Sequence, residues 1–180
     1  MSKKTIPSKK PTFIQAINIS NNWCQEWEDD LISDEVLSDR ISALISSKTG
    51  LRGFFALTLS DPSCTLLDKL PQSILFMFVE NGLPIVEIIF KNLVMSSAQI
   101  INHRREKNTD YEEKSEQISE RCAFILQNLD TKLVTEEARR VVKNLDQMGN
   151  TFDNSAKYDE DQKKFILQKI NDLATKKDHC

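Results

Sequence analysis

Residues 74–95 read ILFMFVENGLPIVEIIFKNLVM, and 15 of these 22 positions are apolar. That density is the density of a membrane span. Glu80, Asn81, Gly82, Pro84 and Glu87 interrupt it, however. A span would have to bury both carboxylates, at a cost of roughly 2.5 kcal/mol or more each. Two buried helices meeting at an Asn-Gly turn accommodate the same residues without that cost. The stretch therefore predicts a buried central helix pair and no transmembrane segment. The second helix starts near Pro84, whose fixed φ suits a first turn, and runs past Ile101. Glu87 and Lys91 stand one turn apart on it in the favourable order, as its polar strip. His103, Arg104 and Arg105 fall at its end, where cations meet the negative pole of the helix.

Composition supports helices around this pair. Only four glycines and five prolines occur in 180 residues, too few for the turns of a many-stranded sandwich or barrel. Upstream, Phe13, Ile14, Ile17, Trp23, Trp27 and Leu31 recur at helical steps, with a break expected at Ser20-Asn21-Asn22. Ser33 offers a cap, Asp34 and Glu35 suit a first turn, and Val36, Leu37, Ile41, Leu44 and Ile45 form a buried face that Gly50 is expected to terminate. Leu51–Leu59 is a short apolar run without a decisive period, assigned to helix because no second strand exists to pair with it. Pro62 and Pro71 are each expected to open a helix.

Downstream, Thr109 and Glu112 read as a capping box. The stripes Ile118, Cys122, Ile125, Leu129 and Val134, Ala138, Val141, Leu145, Met148 match, which predicts an antiparallel hairpin over residues 109–148 ended by Gly149. A polar loop follows from Asn150 to Lys157. Asp159 with Gln162 caps a last helix lined by Phe165, Ile166, Ile170 and Leu173. The expected architecture is all-α: a single-domain bundle of about seven helices at residues 11–176, between a disordered basic tail at 1–10 and a frayed end at 177–180.

Chemistry is sparsely marked. The net charge of −3 opposes any global attraction to phosphate backbones or anionic lipids. The basic patches at the N-terminal lysines, at His103–Lys107 and at Lys163-Lys164 are small and carry no interleaved aromatics, which argues against nucleic acid as a partner. The four cysteines, Cys24, Cys64, Cys122 and Cys180, form no Cys-x-x-Cys pair and read as thiols of a reducing, cytoplasmic compartment. With His103 and His179 as the only histidines, di-iron Glu-x-x-His chemistry is excluded, and no metal or cofactor is expected. Glu112, Glu116 and Glu120 share a helix face that reads as solvated. No Gly-x-Ser-x-Gly, P-loop or dinucleotide fingerprint occurs.

The segment Lys48-Thr49-Gly50-Leu51-Arg52-Gly53-Phe54-Phe55 is the place where local rules strain. Two glycines flank Arg52 and two phenylalanines follow. Either the backbone approaches something closely and presents Arg52 to an anion, or the segment is a helix–turn–helix corner with Arg52 paired internally; the sequence leaves both open. A DNA-reading corner is excluded, because Phe54, Phe55, Leu57 and Leu59 are core residues.

The expected function is that of a non-enzymatic protein-interaction module, an adaptor, assembly factor or regulatory subunit that self-associates or binds another protein. Its reasons are the apolar excess of residues 51–101 and an acidic helix exposing Trp23 and Trp27. The alternative is a ligand-binding protein or helical enzyme with an inter-helix pocket near Arg52 and Glu87, joined by Glu80 and His103. A third is a nucleic-acid accessory protein acting through residues 1–10. The candidate binding residues are Arg52, Phe54, Phe55, Glu87, Lys91, His103, Arg104, Arg105, Trp23 and Trp27.

Overall fold

The computed structural model of the protein describes residues 10–148 and 158–175. The expected tail, the Asn150–Lys157 loop, the Gly149 stop and the frayed C-terminus lie outside the described residues, apart from exposed Lys10. The described chain is all helical, with eight helices and no strand among the described residues. Its contacts gather into two units, residues 1–77 and 78–180.

In the first unit, α1 (Phe13–Glu28), α2 (Asp34–Ile45) and α3 (Lys48–Ser60) each open on a hydroxyl cap. Thr12 accepts from the Gln15 amide, while the Gln15 side chain accepts from the Thr12 N–H. Ser33 accepts from Val36 N–H, with Asp34 and Glu35 in the first turn as their charge predicts. Ser47 caps α3 by accepting from the Gly50 N–H at 3.0 Å.

Three expectations need correction here. No break occurs at Ser20, whose hydroxyl donates back to Ala16 O and leaves α1 continuous. Gly50 does not end α2; it sits in the first turn of α3, where its missing Cβ leaves room for the Leu44 carbonyl. Pro62 opens no helix, because residues 61–71 form an irregular segment in which the Asp61 carboxylate accepts from the Ser63 N–H. Pro71, by contrast, does precede a helix, α4 (Gln72–Asn81), through the Leu75 N–H to Pro71 O bond.

Close approach governs how α1 meets α3. A Cβ at Gly53 would stand 2.5 Å from the Ala16 Cβ and 3.0 Å from the Phe13 carbonyl oxygen. The backbones of the two helices therefore nearly touch, a crossing that only small residues permit. Phe54 and Phe55 lie beyond it, fully buried, with rings edge to face at 5.0 Å. Full burial of a side chain of this size is worth about 1.5–3 kcal/mol.

In the second unit α5 (Leu83–Glu106) is central, with α6 (Thr109–Asn128), α7 (Thr131–Met148) and α8 (Glu160–Thr175) packed on it. The expected hairpin over residues 109–148 is corrected: the closely paired antiparallel helices are α5 and α6, one helix earlier. Lys107, in the left-handed region at φ 55°, turns the chain between them. Arg104 meets Glu112 and Glu116 across that turn. Ser97 and Ser119, at equal sequence distance from Asn108, are both buried, as are Ser96, Ala98, Ser115 and Cys122. Small side chains at these levels let two long helices lie close along most of their length.

The Thr109 capping box is likewise corrected. Asn108 is the cap, accepting from the Tyr111 N–H, and Glu112 is taken by Arg104 instead. The Asp159 and Gln162 box forms as its sequence predicts. By length and composition α5 is the one described helix apolar enough to cross a membrane, and in this fold it is the helix on which the others of its unit pack.

Candidate functional site

The apolar excess of residues 51–101 is mostly core. Phe54, Phe55, Leu59, Ile74, Phe78, Ile85, Ile89 and Phe90 are essentially inaccessible. Of the exposed remainder, Met95 lies further along α5, while Val79 and Leu83 lie where α4 gives way to α5. Val79 is 42% exposed and Leu83 47%, and Phe76, one turn before Val79 on α4, is 65% exposed. Gly82 joins the helices with a φ of 52°, which an L residue adopts only under strain. Leu133 of α7 lies over this glycine, its Cδ1 3.5 Å from where a Cβ would be. Gly82 thus has exposed Leu83 next to it, the Val79 carbonyl close by and half-buried Leu133 over it, while Glu80 and Lys132, the sequence neighbours of Val79 and Leu133, are exposed.

The ten candidate binding residues fall into separate roles. In the first unit, Phe54 and Phe55 are core and carry no accessible surface. Arg52 is exposed, its guanidinium 5.5 Å above the Phe13 ring, which joins α3 to the start of α1. Trp23 and Trp27 are half-buried rather than displayed. Arg40 of α2 lies over the Trp23 ring and pairs with Glu26, while the Trp27 indole N–H donates to Asp34 at 2.7 Å. The acidic helix thus uses its tryptophans and Glu26 to hold α2.

In the second unit, Glu87 accepts from Arg140 of α7 at 3.1 Å, and Lys91 lies one turn further along α5, half-buried. Arg140 also grips the buried carboxylate of Glu137 through two bonds of 2.7 Å each. At the other end of α5, Arg104 bonds Glu112 and Glu116 while lying over Phe165. Arg105 takes both oxygens of Asp159 at 2.6 and 3.2 Å, and Asp161 at 2.7 Å. His103 packs its ring against Tyr111 at 5.5 Å. The basic run therefore forms a clasp for the N-terminal turns of α6 and α8, and Glu112 and Glu116 of the acidic row on α6 are held by Arg104. Among the described residues no cluster of histidine, cysteine or carboxylate side chains is arranged to hold a metal.

Buried Gln162 completes the clasp by donating to Ala98 O at 3.3 Å and Asn102 Oδ1 at 3.0 Å. The sequence marks Gln162 as a cap residue, but nothing local in it signals these partners on α5.

The Arg105 guanidinium holds the Asp159 carboxyl down from 3.8 to about 2, with help from the Gln162 N–H. Because the folded state lowers this pKa, the bond's stabilisation is complete above about pH 4 and is lost as pH falls through the folded value. Thermal midpoints measured from pH 5 to pH 2 are expected to fall across that window, and Asp159→Asn to flatten the slope there. An equal slope in the variant would show that the clasp contributes nothing.

In the first unit, two thiols meet. The thiols of Cys24 on α1 and Cys64 in the 61–71 segment are hydrogen-bonded to each other, and this bond, burial, and the nearby Glu28 and Asp61 charges all push the Cys24 thiol far up. Burial alone raises Cys122 on α6. Cys64 is positioned by its neighbour Thr65, whose N–H and hydroxyl both donate to Glu28 at 2.8 and 2.9 Å. Sequence spacing gave no hint of this pair, because the cysteines stand on segments joined only through α2 and α3.

The molecule is thus an all-α protein whose described surface offers an apolar patch and polar clasps. It belongs to the family described as Uncharacterised conserved protein UCP020893, which matches residues 12–173. No curated protein and no solved structure matches the chain.

Proposed function

We propose that the protein is a non-enzymatic helical interaction module that self-associates through the surface of Val79, Leu83 and Leu133. The observation that supports this most directly is the exposure of Val79 and Leu83 at 42% and 47% beside Leu133, on a junction shaped by Gly82. Neighbouring apolar side chains left in water at a rigid helix junction favour association, because covering them removes apolar surface from water. Glu80 and Lys132, of opposite sign, are exposed and adjoin Val79 and Leu133 in sequence. A two-fold axis through such a patch brings the acid of one copy to the base of the other, which suits an isologous contact. The arginines of the clasp are engaged with carboxylates in the same chain, so they support assembly of the fold rather than capture of an anion.

Native mass spectrometry and light scattering on the purified protein test this. The wild-type chain is expected to be a dimer at micromolar concentration and Leu83→Asp a monomer with unchanged helical content. Met95→Asp, at an exposed position further along α5, is expected to leave the dimer intact. A wild-type chain that stays monomeric over the whole concentration range, or a dimer indifferent to Leu83→Asp, overturns the proposal.

A further inference from the structure

Cys24 and Cys64 come from segments far apart in sequence and are in hydrogen-bond contact, with 3% and 4% of their surfaces exposed. One turn along the same face of α1, Glu28 takes both donors of Thr65, so the residue beside Cys64 is clipped to the last turn of the helix. Residues 61–71 carry no helix, and their internal backbone bonds are few: Cys64 N–H to Asp61 O at 3.3 Å, and the N–H groups of Asp68 and Lys69 to Thr65 O at 3.0 and 3.1 Å. We propose that Cys24 and Cys64 form a dithiol switch that closes to an intramolecular disulfide on exchange with a low-molecular-weight disulfide, locking residues 61–71 onto α1.

The chemistry balances without any other reagent. The thiolate of one cysteine attacks a sulfur of the small disulfide, which breaks its S–S bond and releases one small thiolate. The second cysteine then attacks the mixed disulfide, forming the Cys24–Cys64 bond and releasing the other small thiolate. Two protein thiols lose two electrons and two protons, and the small disulfide leaves as two thiols.

The environment sets the timing. Burial and the carboxylates of Glu28 and Asp61 disfavour the thiolate, so the closed segment protects the pair and exchange runs through local opening of residues 61–71. Once formed, the bond closes a long loop of the unfolded chain and stabilises the fold.

The test uses the full chain incubated with oxidised glutathione, then mapped by peptide mass spectrometry after blocking free thiols. The expected product is two hydrogens lighter than the reduced chain and carries a Cys24–Cys64 linkage. Its thermal midpoint is raised by roughly 10 °C and returns to the original value with dithiothreitol. Glu28→Gln, which weakens the clip on Thr65, is expected to speed formation of the bond severalfold, and Cys64→Ser to abolish it. A stable glutathione adduct on either cysteine, a linkage that instead involves Cys122 or Cys180, or no reaction in the native chain while the denatured chain oxidises fully, would overturn the proposal. The wild-type mapping decides the matter even where a variant fails to fold.

Discussion

Gly50→Ala is expected to destabilise the protein by about 3 kcal/mol, seen as a large drop in denaturant midpoint with an unchanged slope. The sign is decided by two opposed effects. Alanine for glycine in a helix gains about 1 kcal/mol through a smaller loss of backbone entropy. Against that, a Cβ at Gly50 would lie 1.9 Å from the Leu44 carbonyl oxygen and 2.8 Å from both the Leu44 carbonyl carbon and the Ser47 Oγ. The first two are backbone atoms at the end of α2, so relief requires moving the corner between α2 and α3, and the Ser47 cap moves with it. Gly53→Ala is the informative comparison, since its tightest contacts, the Ala16 Cβ at 2.5 Å and the Phe13 oxygen at 3.0 Å, are less severe. It is expected to cost less than Gly50→Ala. A Gly50→Ala protein as stable as wild type would mean that the corner yields freely, and the close approach would lose its meaning.

Those two glycines also show what was legible in the sequence. The strain around Arg52 is readable from composition, and the close backbone approach that it suggests is real. What glycine at position 50 cannot reveal by itself is whether it ends one helix or makes room inside the next, because both uses require the same missing Cβ. Caps divide in the same way. Ser33 and the Asp159–Gln162 box are legible because a cap is satisfied within four residues. Thr109 misleads because Asn108, one residue earlier, caps better and Glu112 has a tertiary partner in Arg104.

Helix pairing is the harder problem. Matching apolar stripes point from α6 to α7, whereas the closest packing of α6 is on α5, where Ser96, Ser97, Ser115 and Ser119 line buried positions. Serines read as polar surface in a periodicity count, yet small size is what lets the helices approach. The candidate site was legible as residue types rather than as places. Trp23, Trp27, Arg104 and Arg105 were singled out, and each is engaged in binding one helix of its own unit to another. The exposed Val79 and Leu83, like Phe76 and Met95, were hidden in a run in which Ile74, Phe78, Ile85, Ile89 and Phe90 are core.

The pair formed by Glu137 and Arg140 yields the second large effect, and its asymmetry is the point. Glu137 is 3% exposed at its side chain and Arg140 50%. Arg140→Leu would leave a carboxylate inside the α5–α7 contact without its bidentate partner. Removing one member of a fully buried pair costs about 3–5 kcal/mol. Because Arg140 is half in water, solvent partly replaces it, and a loss of about 2–3 kcal/mol is expected. Glu137→Leu removes the buried charge itself and leaves Arg140 in water with Glu87 still at 3.1 Å, so its cost is expected to stay below about 1 kcal/mol. The double variant should therefore be more stable than Arg140→Leu alone, a reversal that no additive pair of contacts produces. Denaturant midpoints of the four proteins decide it. Equal and additive losses would show that the Glu137 carboxylate is solvated in solution and that Arg140 holds α7 to α5 through Glu87 instead.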